Sequence, residues 1–524
     1  MKNYLLLQYF LLLVTIIQAQ GIYNDGAHIT TSGSSFLVVS RGNFTVTSRS
    51  AENPVTLSNL YIMANASLTV DAQSYLTVNG TLANSSGTDG LILKSNASGT
   101  ASLMHNTPAV NVTIERYFTG NQVLDGKDFH FVSMPLNATG VAAQFMGMYL
   151  YRLDIASQSW VSMGSSTTTQ LFNDQGYMVF YPNTNTTTLF VGRMNNGSFT
   201  AATPCTQPDQ YCLVPNPYPS AIDWDSPGLS KVNLYDAYWI WNPDIGNYST
   251  YGGQVGTFNA TGKIPVGQGF LVESNAAAPS LVMTNAARLH DAQEFYKESS
   301  EIIPEVLHLK VAANGLADET IVRFSKLATE NKGILDAEKI EGAENAPQLY
   351  TLTSADEKLT INALPHSDVE RIVPLNVEYK QNEQLEITAS GLESFSQGTS
   401  IFLEDKLTNT MTNLKTTPSY SFMHQKTDNP MRFNLHFLGV NTVNEAASND
   451  SHIWYGANKI NIIIPEMTDI ESLIEVYDIA GRILLRKTSS MNSPVSVSFG
   501  GFTGVVLVRV AAGSRIFSQK LFIR

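Results

Sequence analysis

Two carboxylates frame a tryptophan in the stretch "NPYPSAIDWDSPG", at Asp223 and Asp225. Such a pair could serve glycoside chemistry, or hold calcium together with backbone carbonyls. The spacing argues against catalysis. Carboxylates at i and i+2 on one extended segment project along one side, whereas a glycosidase needs its acids about 5–9 Å apart across a cleft. Pro217, Pro219 and Pro227 point instead to a shaped turn whose acids cap nearby amides.

Aromatic rings crowd the next stretch: Tyr235, Tyr238, Trp239, Trp241, Tyr248 and Tyr251. If exposed, Tyr238, Trp239, Trp241 and Tyr248 would suit stacking on sugar rings or on a protein partner. Core packing is the commoner fate of such residues, and strand alternation would expose only half of them. The chain has two cysteines, Cys205 and Cys212, so close in sequence that a local disulfide is expected in an oxidising compartment. A metal pair is the alternative, but no second Cys/His pair has zinc spacing. Nine histidines are scattered at 28, 105, 130, 290, 308, 366, 424, 436 and 452. His308 and His436 alternate with apolar neighbours, which puts them on the polar face of a strand. No H-E-x-x-H, G-x-S-x-G or P-loop occurs. The residues therefore suggest no catalytic group, metal site or cofactor.

These residues must be positioned by an exported chain. Lys2 precedes an apolar run from Leu5 to Ile17, and small residues follow in Gln18-Ala19-Gln20-Gly21. This is a signal-peptide pattern over residues 1–19, too short for a membrane span. The formal charge of −13 argues against nucleic acid as a partner. Charge is uneven: residues 21–290 hold 25 charged side chains, and 291–524 hold 51 in a shorter span. A domain boundary is thus expected near 290.

Apolar and polar residues alternate over short runs broken by Gly, Asn, Asp and Pro, so the chain reads as all-β. Residues 20–116 are repeat-like, with Leu60, Leu68 and Leu76 eight apart, and suggest β-helix-like rungs or a plain meander. Residues 117–290 hold a weak duplication. "QGYMVF" at 175–180 is echoed by "QGFLVE" at 268–273, "FVSMP" at 131–135 by "LVPNP" at 213–217, and "YLYRLD" from Tyr149 by "AYWIWN" from Ala237. The stretch 286–299 reads as a helix or a linker. Residues 302–439 suggest a β-sandwich of seven or eight strands; 440–452 read as a polar linker, and 453–524 as a last small module.

That last module reads "NKINIIIP", "LIEVYDIAGRILLRK", "VSVSFGGFTGVVLVRVAAG" and "RIFSQKLFIR". In this order it resembles the type A C-terminal sorting domain, an Ig-like sandwich, of proteins exported by the type IX secretion system of Bacteroidota. The match runs through Val476, Tyr477, Asp478, Gly481 and Arg482, then Gly504 and Val505, then Lys520. Val506 stands where that family usually has Tyr. "NPYPSAIDWD" with "VGQGFLVES", and "DETIVRFSKLAT" with "FLEDKLTN", are similar to recurrent segments of large Bacteroidota surface proteins. With these the resemblance extends from about residue 91 to the end. It implies the type IX machinery as a partner, removal of the module near 440–452, and attachment to surface lipopolysaccharide. It also makes the twelve Asn-x-Ser/Thr triplets a matter of bacterial composition rather than glycosylation. The expectation is a secreted or cell-surface, non-enzymatic, structural or adhesive protein with an unknown glycan or protein ligand. A glycan-binding or glycan-active protein is the alternative.

Overall fold

The computed structural model describes residues 21–24, 35–48, 50–120, 128–137, 140–164, 168–291, 304–367, 370–439, 452–456, 458–463, 471–478, 481–490, 495–512 and 515–523. The expected signal peptide and nearly all of the expected linker lie outside these residues. The protein is all-β, with short 3-10 turns between strands.

The N-terminal region is a β-solenoid built from two parallel sheets. One stacks Gly21–Asn24, Ser35–Val39, Val55–Ile62, Tyr75–Val78 and Ser102–His105; the other stacks Gly42–Val46, Ala66–Val70, Leu91–Leu93 and Asn111–Phe118. Leucine stacks on leucine from rung to rung: Leu37 pairs with Leu60, Leu60 with Leu82, and Leu68 with Leu91. The rung repeat is therefore about 22 residues, as solenoid repeats commonly are. The eight-residue spacing of Leu60, Leu68 and Leu76 has another meaning: it steps from the first sheet to the second and back. All three leucines are fully buried between the sheets. Beyond its last rung the second sheet carries one more strand: Thr186–Arg193 pairs antiparallel along the whole of Asn111–Phe118 and becomes the terminal strand.

Two antiparallel sheets follow and share one topology. Phe129–Val132, Tyr149–Asp154, Ser159–Ser162 and Tyr177–Phe180 lie in spatial order first, fourth, second, third. Tyr211–Pro215, Leu234–Asn242, Asn247–Gly252 and Gly269–Ser274 repeat that order, with Val255–Gly256 added at the edge. The two sheets touch reciprocally. Gly176, just before one fourth strand, donates its N–H to Leu213 O of the other unit at 2.8 Å. Gly269, which begins the other fourth strand, lies against Val132 of the first; a Cβ there would sit 2.8 Å from the Val132 carbonyl oxygen. In its described part the stretch from 286 completes a single 3-10 turn, Asn285–Ala287, and then runs as the strand Arg288–Leu289 paired with Ala221–Asp223. Its side chains latch onto the solenoid. Arg288 donates to His105 O at 2.6 Å, and the His290 ring bridges Thr77 and Ser102 at 2.8 Å each.

Residues 306–438 form one continuous eleven-stranded sheet that curls around its own core. Phe422, in the strand at one end of the order, and Phe433, near the other end, have ring centroids 4.8 Å apart. The two faces expected of a sandwich are thus two parts of a single ladder. One strand, Leu316–Phe324, is buried at every position, because its outer side packs on the aromatic unit. There Leu316 and Ile321 share a core with Trp239 and Trp241.

The last module is a sandwich with its own core. The sheet of His452–Gly456, Lys459–Ile463 and Val495–Ser498 faces that of Ile483–Ser490, Glu471–Asp478, Gly504–Ala512 and Arg515–Ile523. Ile460, Ile462, Ile474, Val476, Val506 and Val508 fill the space between. Among the described residues no helix is long and apolar enough to cross a membrane.

Candidate functional site

The seam between the aromatic unit and the curled sheet gathers the protein's most perturbed groups. On one side, the chain after Asn247–Gly252 turns through left-handed conformations at Gly253, Gln254, Phe258, Asn259 and Gly262. Non-glycine residues there carry strain, which persists only under firm anchoring. Glu319 supplies the anchor: one carboxylate oxygen accepts the Phe258 N–H at 2.6 Å, and the other meets His308 Nδ1 at 2.7 Å. Thr257 Oγ1 adds a second hold on the Thr250 N–H at 2.9 Å. The loop is thereby held as one wall of a cleft of about 720 Å³, whose opposite wall comes from 304–308 and 390–394.

Asp225 reaches this cleft; Asp223 does not line it. Asp223 Oδ1 accepts the Asp225 N–H at 3.0 Å, as a turn cap does. Asp225 Oδ2 accepts the Tyr251 hydroxyl. Burial raises the Asp225 carboxyl above the usual range, and burial together with this bond raises the Tyr251 phenol. The pair does not straddle an open space.

A second cluster lies nearby. The Lys332 ammonium sits 2.5 Å from Glu273 Oε1, 2.7 Å from Glu338 Oε2 and 3.4 Å from Asp209 Oδ1, with its charge 4.5 Å from the centre of the Tyr235 ring. These three acids converge closely enough to ligate a metal ion. The lysine already supplies the cation, and it is almost wholly buried among them. Glu273 is fully buried, and its other oxygen meets no donor. Burial pushes Glu273 up to about 9, which favours its protonated form at neutral pH. The arrangement is a neutralised internal ion cluster.

The rings offered as a stacking platform are not available for it. Tyr238 and Trp239 are buried to about 1% exposure or less, Trp241 is buried, and Tyr248 packs beside it. Alternation along Leu234–Asn242 does send them to opposite faces, but each face meets a different core. Tyr238 joins the core with Trp224 and Phe270, while Trp239 and Trp241 join the core that holds Ile321 and Ile361. A central strand covered on both sides exposes neither set. His436 likewise is not on a solvated face: it is buried between Glu370 at 2.6 Å and Glu404 at 3.1 Å. His308 stays half-buried, held by Glu319.

Cys205 and Cys212 are joined in a disulfide beside the strand Tyr211–Pro215. In the last module Val476 is core, while Tyr477, Asp478, Gly481, Val505 and Lys520 line one surface groove of about 620 Å³. Asp478 Oδ1 accepts the Arg482 N–H at 2.9 Å, and its Oδ2 holds the guanidinium at 2.6 Å. Gly481 sits at φ +77°, where a side chain would be strained. Gly504 starts the strand that carries Val505.

Sequence reasoning missed Lys332, Glu273 and the Glu319–His308 anchor. One signal existed. In the duplicated segment Glu273 occupies the position held by Phe180, which is a charge where the repeat places a core ring. The other partners are distant in sequence, with Lys332 59 residues from Glu273 and 123 from Asp209, and Glu319 61 from Phe258, and no local spacing marks them.

The chain matches no curated protein. A model described as a domain of unknown function, DUF8693, matches residues 28–242 and 230–437. These spans take in the solenoid, the paired sheets, the curled sheet and the seam cleft, and the chain belongs to that family.

Proposed function

We propose that this is a non-enzymatic β protein, structural or adhesive, carried by its signal peptide to the periplasm and through the type IX machinery to the cell surface or beyond. The carrying observation is the groove of the last module. Tyr477, Asp478, Gly481, Val505 and Lys520 come from three strands and one hairpin turn, yet they line a single surface, as an export signal read by shape requires. The separate core of this module supports its reading as a removable address, and lipopolysaccharide would be the anchor once it is removed. The engagement of Asp223 in a turn cap and of Asp225 by the Tyr251 hydroxyl supports a non-catalytic cargo. Deleting residues 453–524 should trap the chain in the periplasm. Fractionation and blotting of the truncated and full chains tests this, and normal surface levels of the truncated chain would refute it.

A further inference from the structure

We propose that the cleft at the seam binds a neutral glycan. The inference rests on the adhesive reading, to which it gives a ligand class and a site. Side chains lining the cleft leave a particular set of hydrogen-bonding groups without partners. Gln254, Asn259 and Ser390 make no side-chain hydrogen bond within the protein, and Thr261 Oγ1 is buried with none. His308 spends Nδ1 on Glu319 and keeps Nε2. A buried hydroxyl left unsatisfied is costly, whereas Gln254, Asn259 and Ser390 are exposed and open to whatever fills the space.

The chemistry of these groups selects the ligand. The amides and hydroxyls are neutral and can both donate and accept. Of the charged neighbours, Glu319 is used by a backbone N–H and His308, and Asp225 by the Tyr251 hydroxyl; Glu393 stands exposed at the rim, where its carboxylate can accept from a sugar hydroxyl. A cationic peptide would find that one acid and would strand the amide donors, and an apolar ligand would strand both kinds. A sugar ring presents hydroxyls that donate and accept at once, and its C–H face fits against Pro304 and Val255 at the cleft walls. The volume of about 720 Å³ lies within the roughly 300–1,000 Å³ of small-ligand sites at domain seams. The strained loop 253–262, clamped by Glu319, holds the wall ready before the ligand arrives.

The test uses the purified full chain on an array of neutral oligosaccharides, with Lys/Arg-rich peptides as companion probes. Glycans that bind are titrated by calorimetry against wild type, Gln254→Ala and Ser390→Trp. Both substituted residues are exposed, so the melting temperature should not move. The expected result is saturable binding of at least one neutral glycan, weakened about fivefold to tenfold in Gln254→Ala and lost in Ser390→Trp. Binding that survives both substitutions overturns the proposal, as does capture of the peptides alone or of no probe. Cleavage of a bound glycan would leave this inference standing and refute the non-enzymatic reading, while a blank glycan array leaves the export assay to judge that reading.

Discussion

Lys332 and Glu273 occupy the same cluster but should respond to substitution in opposite ways. Glu273 is held protonated by burial, so Glu273→Gln keeps its shape and hydrogen bonding and should leave the melting temperature nearly unchanged. Lys332→Met removes the cation that Glu338 and Asp209 share and leaves these part-exposed acids facing each other, which should cost about 1 kcal/mol. Thermal melts of the two variants decide it; equal loss in both would mean that Glu273 is ionised. His436 makes a pH prediction. Its two carboxylate partners outweigh burial and raise it to about 9 from 6.5. A raised pKa means the folded state gains from the proton. That stability is full below about pH 6.5 and is lost as pH rises through about 9. Urea titrations between pH 6 and 10 should show the decline, and His436→Gln should flatten it while lowering stability near neutrality.

Among the strands, the reciprocal contacts of the paired sheets give an unequal prediction. A Cβ at Gly269 would meet Val132 backbone atoms at 2.8 and 3.1 Å, whereas at Gly176 it would meet the Leu213 side chain at 2.7 Å. A leucine side chain can turn aside and a paired strand cannot. Gly269→Ala should therefore cost roughly 1–3 kcal/mol and Gly176→Ala distinctly less, read by chemical denaturation. The disulfide belongs to the same region. Closing so short a loop should stabilise by roughly 2–3 kcal/mol, and a melt with and without reductant measures it. The duplication was legible in sequence as "QGYMVF" and "QGFLVE", and the shared strand order agrees with it. The glycine contacts were not legible, because a strand sequence does not say which strand of the other unit it will touch.

Across the whole molecule, histidines line the contact between the solenoid and the paired sheets, with His105 buried and His130 and His290 partly buried. His105, His130 and His290 are each lowered to about 4, first by burial, with a nearby arginine adding to it. Lowered pKa values mean that the unfolded chain takes protons first. This support is full above about pH 6.5 and is lost as pH falls toward 4. Hydrogen exchange of the segments 101–106 and 286–291 should accelerate across that window while the last module, whose core contains none of these histidines, keeps its protection. Uniform loosening of all segments would contradict this latch.

Sequence alone determined what depends on local periodicity. Alternation along each strand and turn residues between them dictate an all-β chain, and leucines at matched positions announce stacked rungs. The short separation of Cys205 and Cys212 made their pairing readable as well. Tertiary structure decided which faces meet. Trp239 reads as a platform residue until Ile321 and Ile361 cover it, and His436 reads as a surface histidine until Glu370 and Glu404 close around it. The seam cleft belongs to the same class, since its walls come from residues 225, 251–261, 304–319 and 390–394. A strand's own pattern fixes its two faces but not their neighbours, because hydrophobic burial is non-directional and proportional to area; the partner is chosen only when the units pack.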